Sequence, residues 1–340
     1  MKKNKYGNIE DLMIHVKVAT PVGTIDRTCN VPRLSVGPDL QQVILGSEGI
    51  LGVITEVTIK LQPLPQTRAY GAIAFKDFET GFNFMREVAL KRLQPASLRL
   101  MDNQQFQMGQ SITPEENPKL EYVKHEAQRM FLTHWAKFDL NEMCACTALF
   151  EGDEDAVALQ QKKVYAIAAK YGGIKAGEAS GMKGYFLTYM IAYLRDYGFG
   201  YWLIGESFET SVPWANVLTL CRRVQQRVIR SGEEKGLPYK VECSYRVTQL
   251  YDTGAAVYFY FGFIFRGVED PVRKFSEIEA EARDEVLACG GSLSHHHGVG
   301  KLRKSWMTKT VSPVGIELLK GIKKTLDPNN ILGIQNLIDI

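Results

Sequence analysis

The sequence lacks any run of apolar residues long enough to cross a lipid bilayer, for which roughly 18 residues are needed. It also lacks a dominant sign of charge, since 41 Lys and Arg residues face 38 Asp and Glu residues and the net charge is +3. Such a balance argues against an extended nucleic-acid interface. The basic residues instead gather in short stretches, which favours a small anionic ligand.

Cysteine is scarce and shows no spacing that is typical of a metal site. The chain has six cysteines and no CxxC pair, because Cys144 and Cys146 are separated by a single residue. We therefore predict reduced thiols, in a compartment that does not build disulfides, and no bound metal.

A glycine-rich phosphate-binding loop is absent as well. Neither GxGxxG nor the lysine-bearing P-loop occurs in the chain. The opening residues MKKNKYGN lead into two predicted strands, Ile9–Val18 and Gly23–Cys29, which are joined by a turn. Since no earlier element can pair with this hairpin, we expect its sheet partners to be absent from the chain.

Three glycines lie within seven residues in the segment Gly46–Ile54, GSEGILGVI. A predicted strand, Thr55–Leu61, follows directly. Glycines at this spacing let backbone amides line up against a phosphate or a flat polar ring system. A plain turn in a sheet has the same spacing, so the spacing alone leaves a cofactor role and a structural role equally open.

From Pro65 onward the pattern becomes that of a second domain, and 340 residues are enough for two. Strands alternate with amphipathic helices in two βαβ-like units, which predicts an α+β domain with helices packed on an antiparallel sheet. The predicted strands are Tyr70–Phe75, Ser97–Met101, Cys144–Phe150, Ser244–Leu250 and Ala255–Arg266. The predicted helices are Phe78–Arg92, Asp153–Tyr171, Gly184–Leu194, Ser211–Glu234, Pro271–Ala288 and Val314–Leu326. Residues 111–120 are predicted to form a loop.

Two arginines stand beside apolar residues. Arg99 lies between Leu98 and Leu100 in a strand, so we expect its side chain on the sheet face opposite to the two leucines. Arg195 follows the aromatic and methionine-rich segment Gly184–Leu194. That segment predicts a buried helix, with a channel for an acyl chain as the functional alternative. A phosphate or carboxylate is a suitable partner for the guanidinium at its end.

Three consecutive histidines, His295, His296 and His297, lie within the glycine-flanked stretch GGSLSHHHGVGKLRK. In an extended backbone His295 and His297 share one face and His296 points the other way. Imidazoles exchange protons near neutral pH, and Lys301 adds a fixed positive charge nearby. We predict an active-site segment that handles an anion. A zinc site is disfavoured because its ligands usually come from separated positions, and a solvated basic loop remains the alternative.

Six segments carry a family resemblance. They are GSEGILGVITEVTIKL, SLRLMDNQQF, FEGDEDAV, GESFETSVPW, VYFYFGF and GGSLSHHHGVGKLRK. In these the chain resembles the alkyldihydroxyacetonephosphate synthases, flavoproteins of the vanillyl-alcohol-oxidase-like superfamily, and the resemblance covers nearly the whole chain. GSEGxLGVIT, HGxGxxK and DPNN are shared across the superfamily, whereas the His triplet together with YLRD and SLRLMDN is narrower.

The resemblance implies an activity in ether-lipid biosynthesis. A long-chain fatty alcohol would replace the acyl group of acyl-dihydroxyacetone phosphate to give alkyl-dihydroxyacetone phosphate, without net redox change. The cofactor would be FAD, acting covalently at C1 of the substrate. The resemblance also implies a peroxisomal location, peripheral membrane contact, a possible homodimer and no nucleic-acid partner. The last residues, NLIDI, are not an address of the Ser-Lys-Leu type.

The resemblance also assigns site residues. Tyr258 would abstract a proton, Arg195 would hold the substrate phosphate, and Arg99 would be important near the active site. The three histidines would be needed for activity, and the tail Ile334–Ile338 would be functionally sensitive. The residues that would contact FAD are Glu48, Gly49, Ile50, Leu51, Gly52, Val53 and Ile54.

A tyrosine base sets an electrostatic requirement. Its ordinary pKa of about 10 has to fall by roughly 3 units for work near pH 7. A cation at short range in a partly dry site can lower it by that much. The candidates are the three histidines, Arg195 and Lys301.

The resemblance divides the chain into three parts. Residues 1–66 would be the C-terminal part of a two-part FAD-binding domain, residues 67–288 the cap that binds substrate, and residues 289–340 the histidine segment with a helix that returns to the FAD domain. The early part of that FAD domain is missing from the sequence, which predicts a C-terminal portion that lacks most of the flavin site. The alternatives are an FAD-dependent 2-hydroxyacid dehydrogenase of the same superfamily and an inactive truncated fragment that acts as a binding or membrane-edge module.

Overall fold

The computed structural model describes residues 2–29, 31, 33–111 and 130–340. The chain divides into two compact units, a larger one of Met1–Lys5 with Pro65–Gly291 and a smaller one of Tyr6–Leu64 with Ser292–Ile340. These boundaries lie close to the predicted domain boundaries at residues 66 and 288. The assignment of the two units to a flavin domain and a cap stays a prediction.

The first 64 residues contain a small sheet. Their elements are α1 (Lys3–Tyr6), α2 (Ile9–Leu12), β1 (Met13–Thr20), β2 (Gly23–Ile25), α3 (Leu40–Ile44) and β3 (Val53–Ile59). Strand β1 lies between β2 and β3 and pairs antiparallel with both. The expectation that the N-terminal hairpin has no partner in this chain is therefore wrong, because its partner is β3, which follows the glycine-rich segment.

The large sheet and its helices form the larger unit. The elements are β4 (Thr67–Phe75), α4 (Phe78–Leu90), β5 (Ser97–Met101), α5 (Asn103–Ser111), a π-helix (Phe131–Trp135), β6 (Cys144–Gly152), α6 (Glu154–Lys170), β7 (Ile174–Lys175), α7 (Glu178–Phe199), β8 (Leu203–Pro213), a 3-10 turn (Trp214–Asn216), α8 (Val217–Glu234), β9 (Glu242–Leu250), β10 (Gly254–Ile264) and α9 (Pro271–Ala288). Within the described residues the strand order is β7-β4-β6-β5-β9-β10-β8, and neighbouring strands are antiparallel. The predicted α+β class is confirmed.

The two faces of the large sheet differ. Helices α4, α6, α8 and α9 supply apolar side chains to one buried core with the strands, including Phe84, Val164, Val224 and Ile278. Helix α7 lies on the other face, where Gly184 approaches Thr147 of β6. Among the described residues no helix is both long enough and apolar enough to cross a membrane.

The last part of the chain returns to the smaller unit. It contains a 3-10 turn (Lys304–Trp306), α10 (Met307–Thr310) and α11 (Pro313–Leu326). Its end, Leu337 and Ile338, joins Val16, Ile50 and Leu51 in the core of the smaller unit. The core is therefore built from the two ends of the sequence.

Three predicted elements are corrected by the structure. The predicted strand Ile9–Val18 begins as helix α2, because Asn8 and Asp11 form a capping box. The predicted strand Gly23–Cys29 ends at Ile25, where the Asp26 carboxylate turns to the side chains of Lys17 and His15. Ser211 does not start a helix, since it lies in β8 and pairs with β10.

One predicted helix is longer in the structure, and one predicted loop lies almost entirely outside the described residues. Helix α7 is longer than the predicted Gly184–Leu194. Its backbone supports the predicted helix, whereas the side chains on which an acyl channel would depend lie largely outside the described side chains. Of the loop predicted at residues 111–120, Ser111 ends α5 and the other residues are outside the description.

Candidate functional site

One face of the large sheet carries charged and phenolic side chains and is nevertheless largely buried. Tyr258 of β10 lies directly opposite Arg246 of β9 and Glu209 of β8. Arg246 in turn lies opposite Met101 of β5. Residues directly opposite each other point to the same face, and so does Arg99, two positions before Met101. The register therefore brings Arg99 and Tyr258 to one face together with Arg246.

Arg99 is buried as completely as its apolar neighbours. Only 4% of its surface is exposed, while Leu98 and Leu100 on the opposite face belong to the main core. The Arg99 guanidinium lies 5.2 Å from the ring centroid of Tyr185 on α7. Its predicted orientation is confirmed, and its importance for activity stays a prediction. Burial, and next the charge of Arg246, lower the pKa of Arg99 to about 10.

Helix α7 covers Arg99 by approaching the sheet closely. Thr147 is the residue opposite Arg99 on β6, and a Cβ atom on Gly184 would lie 2.7 Å from its Cγ2 atom. A Cβ atom on Gly181 would lie 2.5 Å from the backbone of Gly71. Glycine at these two positions therefore lets the helix seal this part of the face.

Arg246 is a site residue that the sequence analysis did not select. It is 8% exposed, and its guanidinium donates a hydrogen bond to the Tyr260 hydroxyl. The same guanidinium lies 5.3 Å from the ring centroid of Tyr258 and 4.8 Å from that of Tyr260. The sequence signal for Arg246 is an arginine inside a predicted strand. The same signal led to the selection of Arg99.

Tyr258 is protonated at neutral pH in this environment. Burial raises its pKa to about 12, Tyr260 and Glu209 add to the rise, and Arg246 and Arg99 oppose it. The cations of the larger unit that act on this phenol are therefore Arg246 and Arg99, which were not among the predicted ones. Their charges alone do not bring the phenol into the range of a general base at pH 7.

Arg195 lies near the end of α7, and 47% of its side chain is exposed. Its guanidinium is 3.5 Å from the carboxylate of Asp196 and 3.5 Å from that of Glu206. Both contacts are long for a hydrogen bond, so the guanidinium can exchange one carboxylate for another anion at small cost. Its role in binding phosphate stays a prediction.

In the smaller unit, Glu48 connects the glycine-rich segment to the loop after the histidines. Its carboxylate accepts hydrogen bonds of 2.7 Å from the backbone N–H groups of Val299 and Gly300. The side chain of Asn336 donates to the Glu48 carbonyl at 3.1 Å. Gly298 has a φ of +81°, which favours glycine, and a Cβ atom there would lie 2.6 Å from the Glu48 carboxylate. Glu48 thus acts as a tether between three segments.

The four apolar side chains between Glu48 and Ile54 form a buried pair and an exposed pair. Ile50 and Leu51 are buried in the core of the smaller unit. Val53 and Ile54 are exposed by 57% and 53%, although β-branched residues in a sheet are usually covered. Their part in binding FAD stays a prediction.

The histidines do not alternate between two faces. His295 and His296 place their Nδ1 atoms 2.7 Å apart, so one Nδ1 donates and the other accepts. The His296 and His297 ring centroids are 4.8 Å apart at an interplanar angle of 71°. The backbone bends from 295 to 297 and brings consecutive rings into contact, so the extended conformation, in which His295 and His297 would share one face, is not adopted. The three imidazoles form a continuous array of ring contacts, and their role in activity stays a prediction.

A buried ion pair fixes the tail of the chain. Lys323 and Asp327 form a hydrogen-bonded pair that solvent hardly reaches. Asp327 also accepts from the backbone N–H groups of Ile331 and Leu332 at 3.0 and 2.8 Å. Burial alone would raise the pKa of Asp327, but these N–H groups and the Lys323 ammonium lower it to about 2.

The smaller unit fits part of an FAD molecule. The exposed pair Val53 and Ile54 offers apolar surface to a flat ring, and the Gly49 backbone has open space on its Cα. At Gly52 a Cβ atom would lie 2.4 Å from Val18, so the segment is pressed onto β1. The sequence has no glycine-rich pyrophosphate loop. The exposed apolar pair therefore suits the flat ring system of the cofactor, and its contact with FAD stays a prediction.

Comparison with known proteins assigns the family. The family described as FAD linked oxidases, C-terminal domain, matches residues 64–334. The chain belongs to this family. FAD is the cofactor to which the family is linked, in agreement with the prediction.

Individual relatives of this FAD-linked family agree with the resemblance found in the sequence. Alkyldihydroxyacetonephosphate synthase of Caenorhabditis elegans is 51% identical over 100% of this chain and 57% of its own length. The protein of the same name from Dictyostelium discoideum is 28% identical over 99% of this chain and 54% of its own length. A solved structure of alkyldihydroxyacetonephosphate synthase is 25% identical, has a TM-score of 0.77, and matches 98% of this chain and 55% of that one.

These relatives confirm the predicted resemblance and do not favour the 2-hydroxyacid dehydrogenase alternative. The chain spans little more than half the length of each of the three.

Proposed function

We propose that this chain carries the substrate-binding and proton-transfer part of an alkyldihydroxyacetonephosphate synthase. The reaction exchanges the acyl group of acyl-dihydroxyacetone phosphate for a long-chain fatty alcohol. The observation that carries the proposal is the buried face on which Tyr258 lies between Arg246 and Glu209, in a chain 51% identical to a synthase over its full length. A peroxisomal location, peripheral membrane contact and a homodimer belong to the same proposal.

The proposed roles follow the chemistry of the side chains. Tyr258 takes a proton from C1 of the substrate, for which its pKa has to fall below the value of about 12 that it has beside Arg246 and Arg99 alone. Arg195 holds the phosphate. The contacts among His295, His296 and His297 suit them to relay protons. FAD supplies covalent chemistry at C1 when it is bound, and Val53 and Ile54 would contact its ring system.

The two ends of the substrate contribute differently to the free energy of binding. Burying a sixteen-carbon alkyl chain contributes on the order of 10 kcal/mol, at about 0.8 kcal/mol per methylene. The alkyl chain would therefore provide most of the affinity, and the phosphate contact would set the position of C1.

An exchange assay tests the proposal. The chain would be mixed with FAD, palmitoyl-dihydroxyacetone phosphate and hexadecanol, with the remaining N-terminal part of the Caenorhabditis elegans relative supplied as a separate polypeptide. We expect alkyl-dihydroxyacetone phosphate and free palmitate in equal amounts. Tyr258→Phe should lower the rate by at least about 100-fold, the usual contribution of a general base. Oxidation of D-lactate with a dye acceptor, without any exchange, would contradict the proposal.

A further inference from the structure

Arg246 is the strongest unexplained feature of the larger unit. It is 8% exposed, yet the ordinary reason for burying a guanidinium, an ion pair with a carboxylate, is missing among the described residues. Its Nε atom is buried and has no hydrogen-bond partner there. A buried donor without an acceptor is costly, so such atoms point to a ligand or to a structural role.

A second guanidinium makes the site more cationic. Arg99 lies on the same face and is 4% exposed, and the charge of Arg246 acts on it across the sheet. The carboxylates that act on this face come from β8. Glu209 acts on Tyr258, and Glu206 acts on Tyr260. In the strand register Tyr258 therefore stands between Glu209 and Arg246.

The hydrogen bonding of Arg246 leaves a donor for a ligand. Arg246 donates from one terminal nitrogen to the Tyr260 hydroxyl, while its buried Nε–H has no acceptor among the described residues. A guanidinium N–H donates strongly to an oxygen of a carboxylate or a phosphate.

We propose that Arg246 and Arg99 form a binding site for an oxyanion of the substrate next to the phenol of Tyr258. This proposal rests on the proposed function, which supplies two such oxyanions, the phosphate ester and the fatty carboxylate that is released. Because the resemblance assigns the phosphate to Arg195, the site accounts for an anion that has no assigned partner, the released carboxylate. An anion there also offsets the repulsion between the two guanidinium groups.

The test is equilibrium binding by calorimetry on the full chain, with inorganic phosphate in one series and octanoate in the other. Four proteins are compared, the wild type, Arg246→Gln, Arg246→Lys and the control Arg92→Gln. Arg92 pairs with Asp252 on the surface of the same unit. We expect Arg246→Gln to weaken octanoate binding by about tenfold or more, the loss of a charged hydrogen bond. Arg246→Lys should lose less, and Arg92→Gln should bind as the wild type does.

The two series identify the anion. A loss confined to octanoate assigns the site to the carboxylate, and a loss confined to phosphate assigns it to the phosphate ester while still supporting an oxyanion site. The proposal is overturned if the wild type binds neither anion, or if Arg246→Gln binds both as well as the wild type does.

A structural role for Arg246 is tested by Tyr260→Phe. This variant removes the hydrogen-bond partner of Arg246 and keeps both guanidinium groups. We expect it to bind octanoate within about threefold of the wild type, since no donor to the anion is lost. A loss as large as that of Arg246→Gln would mean that Arg246 only supports the sheet, and the proposal would fail. No turnover is measured, so failure of the exchange assay and failure of this proposal can be told apart.

Discussion

At the scale of single residues, charged side chains serve different purposes in the two units. Arg99 and Arg246 are buried charges that stand beside phenols on the sheet face. Glu48 and Asp327 are carboxylates that accept backbone N–H groups and hold loops in place. A charge beside a phenol can change a protonation equilibrium, whereas a carboxylate with several backbone donors mainly fixes geometry.

The tether function of Glu48 is tested by Glu48→Gln. A glutamine has one carbonyl oxygen for two N–H donors, and its amide NH2 would face the other donor. We expect the free energy of unfolding without FAD to fall by about 1–3 kcal/mol, measured by urea denaturation. Glu56→Gln, at an exposed position of β3, is the matched control and should change little. Unchanged stability with weaker FAD binding would show that Glu48 contacts the cofactor instead.

The buried pair at Asp327 predicts a pH dependence. Its folded pKa of about 2 lies below the ordinary 3.8, so its contribution is fully present above about pH 4 and is lost as the pH falls through 2. Asp327→Asn leaves the Lys323 charge buried and should cost on the order of 3 kcal/mol at pH 7. The loss should shrink as the pH falls from 4 to 2.

The matched control for that pair is Asp339→Asn. Asp339 pairs with Lys304 at the surface, so its removal should cost less than about 1 kcal/mol. Denaturant unfolding at several pH values measures both variants. An equal loss for Asp327→Asn at pH 2 and at pH 7 would contradict the assignment of the low pKa.

At the scale of secondary-structure elements, the decisive feature is helix α7 on the polar sheet face. Helix α7 covers Arg99 through Tyr185 and approaches β4 and β6 at glycines. A polar sheet face covered by a helix keeps its charges partly dry, which strengthens electrostatic interactions there.

Gly181→Ala tests the close approach of α7. The new Cβ would lie 2.5 Å from the backbone of Gly71, which cannot give way as a flexible side chain can. We expect a loss of about 1–3 kcal/mol in the free energy of unfolding, despite the better helix propensity of alanine. Gly321→Ala in α11 is the control, since nothing lies within 4 Å of its Cβ position, and it should stabilise by up to about 1 kcal/mol. Equal effects of the two variants would refute the close contact.

The elements that were predicted correctly have a strong local signal. Helices α4, α6 and α9 and strands β5 and β6 follow from hydrophobic periodicity and capping residues, and the structure places them within a few residues. Strand β8 was missed because Ser211, Pro213 and Trp214 resemble a helix start, while its pairing with β10 is non-local. The pairing of β1 with β3 was missed for the same reason.

The sequence predicted only those site residues that have a local signal. The histidines, Arg99 and Tyr258 stand in recognisable motifs, whereas Arg246 becomes significant only through the register that places it opposite Tyr258. The pKa of Tyr258 could not be foreseen either, because it depends on burial by elements that are distant in sequence. Motifs thus indicate the chemistry, and only the fold shows the partners.

At the scale of the whole molecule, the chain combines a larger unit that carries the phenol with a smaller unit that carries the histidines and the glycine-rich segment. It spans 57% of the synthase from Caenorhabditis elegans, with which it shares 51% identity.

The most direct measurement follows the oxygen of the alcohol through the exchange reaction. Hexadecanol labelled with heavy oxygen would be supplied with palmitoyl-dihydroxyacetone phosphate, FAD and the complementary part of the relative. Mass spectrometry would locate the label in the products. The account predicts label in the alkyl-dihydroxyacetone phosphate and none in the palmitate, with product formation strongly reduced in Tyr258→Phe. Label appearing in a palmitate ester, or equal product from Tyr258→Phe, would contradict it.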